Sequence, residues 1–229
     1  MIIKDREKTL NEVIEFFNSK SSRWQFANSI LYDLCKEHPE HNDKDIIVGK
    51  MWLIGRSYAA AIERRVPSVK GVDFYYDKVA PKVQAFGQQL DDSIRDLNNA
   101  KDLTIDIQRR VLEIHKTMVD ELGEIVVTAQ EKHLNLRSFV SKYLHFHCPS
   151  CVFIYDSRAR RMVFERVKKD RNSTDPFAGI ECDIEYADYC LRAFELYRYI
   201  KNHACNTFCP RDLDDYLLRM DDLLQENGI

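Results

Sequence analysis

The chain has 229 residues, 45% hydrophobic and 31% charged, with a net charge of −3. That is apolar material for a sizeable core, but too little positive charge for a surface that grips nucleic acid everywhere, so any such role needs a local patch. Seven Gly and six Pro are few for the length, which argues against a turn-rich all-β fold, and no apolar run nears the roughly 20 residues of a membrane span.

The helical period dominates from the start. A first helix is expected over about 5–19, with Leu10, Val13, Ile14 and Phe17 on one face, and a second over about 22–37 through Trp24, Ile30, Leu31 and Leu34. A third, from Asp43 to Arg65 with Asn42 as its cap, holds "WLIGRSYAAAIERR" and stops before Pro67. On it Arg56 and Glu63 share a face. A fourth spans about 73–98, bent or broken at Pro81, because proline lacks the helical N–H. The fifth, about 104–127, repeats Ile107, Val111, Ile114, Met118, Leu122 and Ile125 at helical spacing.

"HLNL" then makes a tight connection to a helix over Arg137–His147. "CVFIY" is strand-like but too short to build a sheet. Ser157–Lys168 is expected to be helical, "RNSTDPFAG" is a loop, and Ile184–Ile200 is amphipathic through Ala187, Cys190, Leu191 and Phe194. A last helix from about Asp212 uses Leu213, Tyr216, Leu217, Met220 and Leu224. The expectation is an all-α compact helical bundle in a single domain, 1–229. Its alternative is two lobes with a cleft, one from about 1–103 plus 180–229 and the other from 104–179.

The N-terminus turns charged at once, unlike a signal peptide. Seven cysteines, an odd number without secretory features, read as mostly reduced thiols in the cytosol. A cytoplasmic monomer with no membrane partner is expected. Cys148 and Cys151 form a CxxC, and Cys205 and Cys209 a CxxxC, which could offer four soft ligands to zinc. Free cysteine also behaves as a small hydrophobe. His145 and His147, two positions apart on a helix, face different ways.

The run "RSFVSKYLHFHCPSCVFIYDSRARR" carries the functional signal. It reads helix, short loop, extended apolar piece, aspartate, basic helix start. Asp156 can cap that next helix, and it can equally serve as a working carboxylate. From Arg158 to Arg171 there are seven Lys/Arg against two acids, whereas from Arg211 onward two Arg face six acids. The basic run suits DNA phosphates or pairs with the acidic tail.

This run resembles the hairpin helix and catalytic-aspartate segment of the helix-hairpin-helix DNA glycosylase superfamily. In that alignment Ser138 stands where bifunctional members carry a lysine, and Asp156 matches the catalytic aspartate. "FVSKYLHF" also resembles the lysine-bearing helix of the 8-oxoguanine-glycosylase-like branch, which makes Lys142 the candidate amine. Anti-phage glycosylases acting on glucosylated hydroxymethylcytosine are a related match. The likeness covers about 115–168. "HLNLRS" has no hairpin glycine, and Phe153 replaces the family's proline.

The resemblance implies a partner, double-stranded DNA with a modified base, and no cofactor. Asp156 would stabilise positive charge on the sugar, and Lys142, if neutral, would attack the anomeric carbon. Arg137, Ser138, Arg158, Arg160, Arg161 and Lys168 would meet the DNA. Tyr143, Phe146 and Tyr155, with Arg56 and Tyr58, would wall the base pocket. The alternative is a non-enzymatic helical binding module, zinc-stabilised or not, with Asp156 as a cap.

Overall fold

A computed structural model describes residues 1–19, 25–130, 132–170 and 174–226. Trp24 and the first part of "RNSTDPFAG" lie outside the described residues. Nine α-helices are present among them: α1 (Arg6–Ser19), α2 (Gln25–Glu37), α3 (Lys44–Ser57), α4 (Ala80–Asn98), α5 (Ile105–Gly123), α6 (Arg137–His147), α7 (Ser157–Arg166), α8 (Ile184–His203) and α9 (Pro210–Glu226). The all-α expectation holds. Helix starts follow capping chemistry: the side chains of Asp43, Thr104, Asp156 and Asp183 accept backbone N–H bonds from the first turns of α3, α5, α7 and α8, which satisfies donors that a helix start leaves bare.

Four details differ from the sequence reading. Helix α3 is capped by Asp43, not Asn42, and ends at Ser57 instead of Arg65. There Ala59 turns left-handed (φ 51°), and Ala60 N–H bonds back to the Gly55 carbonyl at 2.8 Å. A short 3₁₀ turn, Ile62–Arg65, follows. The expected break at Pro81 becomes a widened π-type turn over Phe74–Val79 leading into α4, with Pro81 in the first turn of α4, where its missing N–H costs nothing. Ile14 and Ile30 are about half exposed, while Val13, Phe16, Leu31 and Cys35 are buried. Helix α7 stops at Arg166, and the next two residues, β2 (Val167–Lys168), pair antiparallel with β1 (Ile2–Ile3).

Helix α6 is the centre of the molecule. Every residue from Phe139 to His147 is buried, and the helix packs on α2, α3 and α5. A helix buried all round leaves its polar side chains to be satisfied internally, and on α6 the exception is His147, whose Nε2 is buried without a partner. Tyr143 hydroxyl bonds His41 Nε2 at 2.7 Å, and His41 Nδ1 is 2.5 Å from Asp91. His145 is held between the Tyr32 hydroxyl and the Val152 carbonyl, both at 2.8 Å. His147 lies instead beside His41, with ring centres 5.1 Å apart, so the two histidines do face different ways.

The "CVFIY" segment joins no ladder. Its buried backbone is satisfied by side chains: Tyr186 and Tyr189 hydroxyls donate to the carbonyls of Phe153 (2.8 Å) and Ile154 (2.6 Å). Tyr155 N–H donates to Ser141 Oγ at 2.9 Å. Clamped this way between α6 and α8, the extended run delivers Asp156 to a fixed point at the start of α7.

Candidate active site around Lys142 and Asp156

Lys142 lies on the central helix with its side chain 3% exposed, and its Nζ is 3.8 Å from Asp156 Oδ2. The amine donates to Ser138 Oγ at 2.7 Å and to the Tyr155 carbonyl at 3.1 Å. Ser138 sits one turn earlier on α6 and donates to that same carbonyl at 3.1 Å. Burial pushes the Lys142 amine below the usual lysine range, opposed by the negative charges of Asp156 and Asp214. Such a shift enlarges the neutral, nucleophilic fraction of an amine. Asp156 is 34% exposed, and its Oδ1 accepts the Arg158 N–H at 2.9 Å. The carboxylate is therefore a helix cap and a solvent-facing group at once, with the amine behind it.

A polar cluster adjoins the pair. Tyr155 donates its hydroxyl to Glu185. The Arg137 guanidinium lies 5.3 Å above the Tyr155 ring and pairs with Asp183 and Glu185, each at 2.8 Å. Arg160 approaches Glu185 at 3.2 Å. Lys142, Ser138, Asp156, Tyr155, Arg137 and Arg160 thus assemble as one cluster from α6, the segment leading into α7 and α7 itself, tied to Asp183 and Glu185 at the start of α8.

The other expected site residues lie elsewhere. Arg158 pairs with Asp221 (2.6 Å) and Asp222, and Arg161 with Asp221 (2.9 Å). Two cations of the basic run are thus matched by the acidic face of α9, whereas Arg166 pairs with Glu12 at 2.6 Å on α1. Lys168 is exposed on β2. Tyr143 is fully buried against His41 and presents no open wall. Phe146 is likewise enclosed, between Tyr32 and Tyr58 at ring separations of 4.8 and 5.2 Å. Arg56 is 45% exposed and pairs with Glu63, across the break after α3 and not along one helix.

Tyr58 does reach a second polar group. Its hydroxyl donates to Asn28 Oδ1 at 2.7 Å and accepts from Arg211 at 3.1 Å. Arg211 in turn pairs with Asp214 (3.2 Å) and Asp215 (2.7 Å). Asp214 is buried, within electrostatic reach of both Lys142 and Asp156. Sequence reasoning missed Asp214, because the six acids of α9 read as one counter-charge to the basic run. The i,i+3 spacing of Arg211 and Asp214 was the available signal.

Among the described residues no three His, Cys, Asp or Glu side chains converge as metal ligands, so Cys148, Cys151, Cys205 and Cys209 do not assemble as a quartet. Cys151 instead donates its thiol to the Cys148 carbonyl. A surface cleft of about 220 Å³ beside Lys101, Lys201 and Phe208 and a wider one of about 750 Å³ along Gln88, Asp92 and Glu121 both lie away from Asp156. No helix is long and apolar enough to cross a membrane among the described residues. Compared with family models, curated proteins and solved structures, the chain matches none.

Proposed function

We propose that the chain is a DNA glycosylase that excises a modified or damaged base flipped out of a duplex. The observation that carries this reading is the buried Lys142 amine set 3.8 Å behind the one-third-exposed carboxylate of Asp156. Cleaving an N-glycosidic bond leaves positive charge on the sugar. A carboxylate fixed in that cluster stabilises that charge, and an amine behind it attacks the anomeric carbon to give a Schiff base. Base extrusion brings the sugar to the cluster, where Asp156 meets it first. Because Lys142 is 3% exposed, the attack also requires the cluster to open. Arg137 and Arg160 flank this point, and their shared partner Glu185 is released when a phosphate takes its place.

The test uses duplexes carrying 8-oxoguanine or glucosylated hydroxymethylcytosine, incubated with borohydride, which reduces a Schiff base to a stable cross-link. Wild type should give a covalent adduct and alkali-labile sites on one of them, and Lys142→Gln should give no adduct. Absence of both products on both duplexes refutes the reading. The cap bond from Asp156 to Arg158 N–H favours a second reading, a helical binding module in which Asp156 only starts α7. Under it, base release is absent and Asp156 variants alter stability alone.

A further inference from the structure

Asp214 carries a feature that the ion pairs of α9 do not explain. Its Oδ2 faces Arg211 at 3.2 Å, but its Oδ1 is buried without a hydrogen-bond partner. An unpartnered oxygen on a buried carboxylate is costly, and native proteins keep such groups chiefly where they serve a reaction or a ligand. The neighbouring site needs such an oxygen. Lys142 must shed a proton before it can attack, yet Asp156 cannot take that proton without losing the charge that stabilises the sugar.

We propose that Asp214 is the proton acceptor that acts through Lys142 in the glycosylase reaction, an inference that rests on the reading above. Because Oδ1 has no hydrogen-bond partner, the Lys142 ammonium gives its proton to Asp214 Oδ1 by way of bridging water. The freed nitrogen lone pair bonds to the anomeric carbon, and the electrons of the glycosidic bond leave with the base. The new secondary ammonium protonates the departing base. The nitrogen lone pair then opens the sugar ring, and the ring oxygen takes back the proton held on Asp214. Lys142 ends as a protonated Schiff base and Asp214 as a carboxylate, so charge is balanced throughout, and Asp156 stays negative.

The electrostatics suit a reversible acceptor. Burial raises Asp214, Arg211 lowers it and Asp215 raises it again, leaving it at about 6. Lys142 faces it from α6, Asp156 from the start of α7, Tyr32 from α2, Tyr58 from beyond α3 and Tyr189 from α8. Burial pushes all three tyrosines up, so they stay neutral over the assay range. Below about pH 6 Asp214 already holds a proton and cannot accept another.

The experiment compares full-length wild type, Asp214→Asn and Asp214→Glu in borohydride trapping across pH, on whichever of the two duplexes wild type cross-links. In parallel, the Lys142 amine is titrated by NMR with carbon-13 lysine, its signal assigned by its loss in Lys142→Gln. Asp214→Asn should slow trapping by about 100-fold or more and abolish the acid limb near pH 6, with Asp214→Glu partly restoring both. Its Lys142 should titrate at lower pH, because a negative neighbour is gone. A larger neutral fraction with a slower reaction identifies lost proton transfer, and a folding defect would not move the acid limb selectively. Trapping by Asp214→Asn within threefold of wild type, an unmoved acid limb, or an unmoved Lys142 titration overturns the proposal while leaving the glycosylase reading intact. No adduct from wild type on either duplex removes the Asp214 proposal, and no alkali-labile site on either as well removes both.

Discussion

Replacing Asp156 by asparagine separates its two jobs. Asparagine caps a helix about as well as aspartate, so the bond from Arg158 N–H survives and α7 keeps its start. What disappears is the negative charge 3.8 Å from the Lys142 amine. At that distance and an effective dielectric of about 20, the pair is worth at most about 4 kcal/mol. Two effects reduce this. Asp156 is 34% exposed, so water screens it. The buried amine can also release its proton in place of remaining charged and unpaired. A loss of about 1–2 kcal/mol remains, which lowers Tm by roughly 2–8 °C in a chain of this size. Base release should fall much further, by at least about 100-fold, as for other groups that stabilise developing charge. Asp156→Ala loses the cap as well and should cost about 1 kcal/mol more. Thermal unfolding beside single-turnover base release measures both quantities. If Asp156→Asn releases base within threefold of wild type, the carboxylate is a cap and nothing else.

Three further outcomes follow from the same structure. Burial raises Asp221, but bonds from Arg158 and Arg161 more than reverse this and leave its carboxyl below the usual range. Its contribution is therefore full above about pH 4 and lost as pH falls further. Asp221→Asn should cost about 2 kcal/mol at pH 7, with the gap to wild type closing in denaturant melts toward pH 3; a pH-independent gap would contradict the pairing. At Gly87 an added Cβ would lie 2.9 Å from the His41 carbonyl oxygen and 3.3 Å from its Cβ. Gly87→Ala should thus destabilise by about 1–2 kcal/mol although alanine favours helix, and a stabilised variant in thermal melts would show that the loop yields freely. Tyr189→Phe strips the 2.6 Å bond from the buried Ile154 carbonyl. A loss of about 1–3 kcal/mol is expected in urea unfolding, and an unchanged midpoint would mean that the segment leading to Asp156 is held by packing alone.

The amino-acid sequence by itself determined the helical class, the span of α6, and the place of Asp156 at the head of α7. These are local properties: a 3.6-residue apolar period, a capping aspartate and a buried run need only neighbours along the chain. The break after Ser57 was not legible, because "SYAAAIERR" has strong helix formers and the turn folds Ala61 back over Gly55, where an added Cβ would meet both Ala61 and Phe139 at 3.4 Å. The strand pair joins residues more than 160 positions apart, beyond any local pattern. Tertiary structure alone decided which charges meet. Arg158 and Arg161 look like free cations in sequence, yet α9 folds against α7 and brings Asp221 and Asp222 to them. The same docking brings Asp214, itself paired with Arg211, within electrostatic reach of Lys142. A charge has no fixed partner until the chain around it has packed, because Coulomb attraction depends on distance and burial and not on position in the sequence.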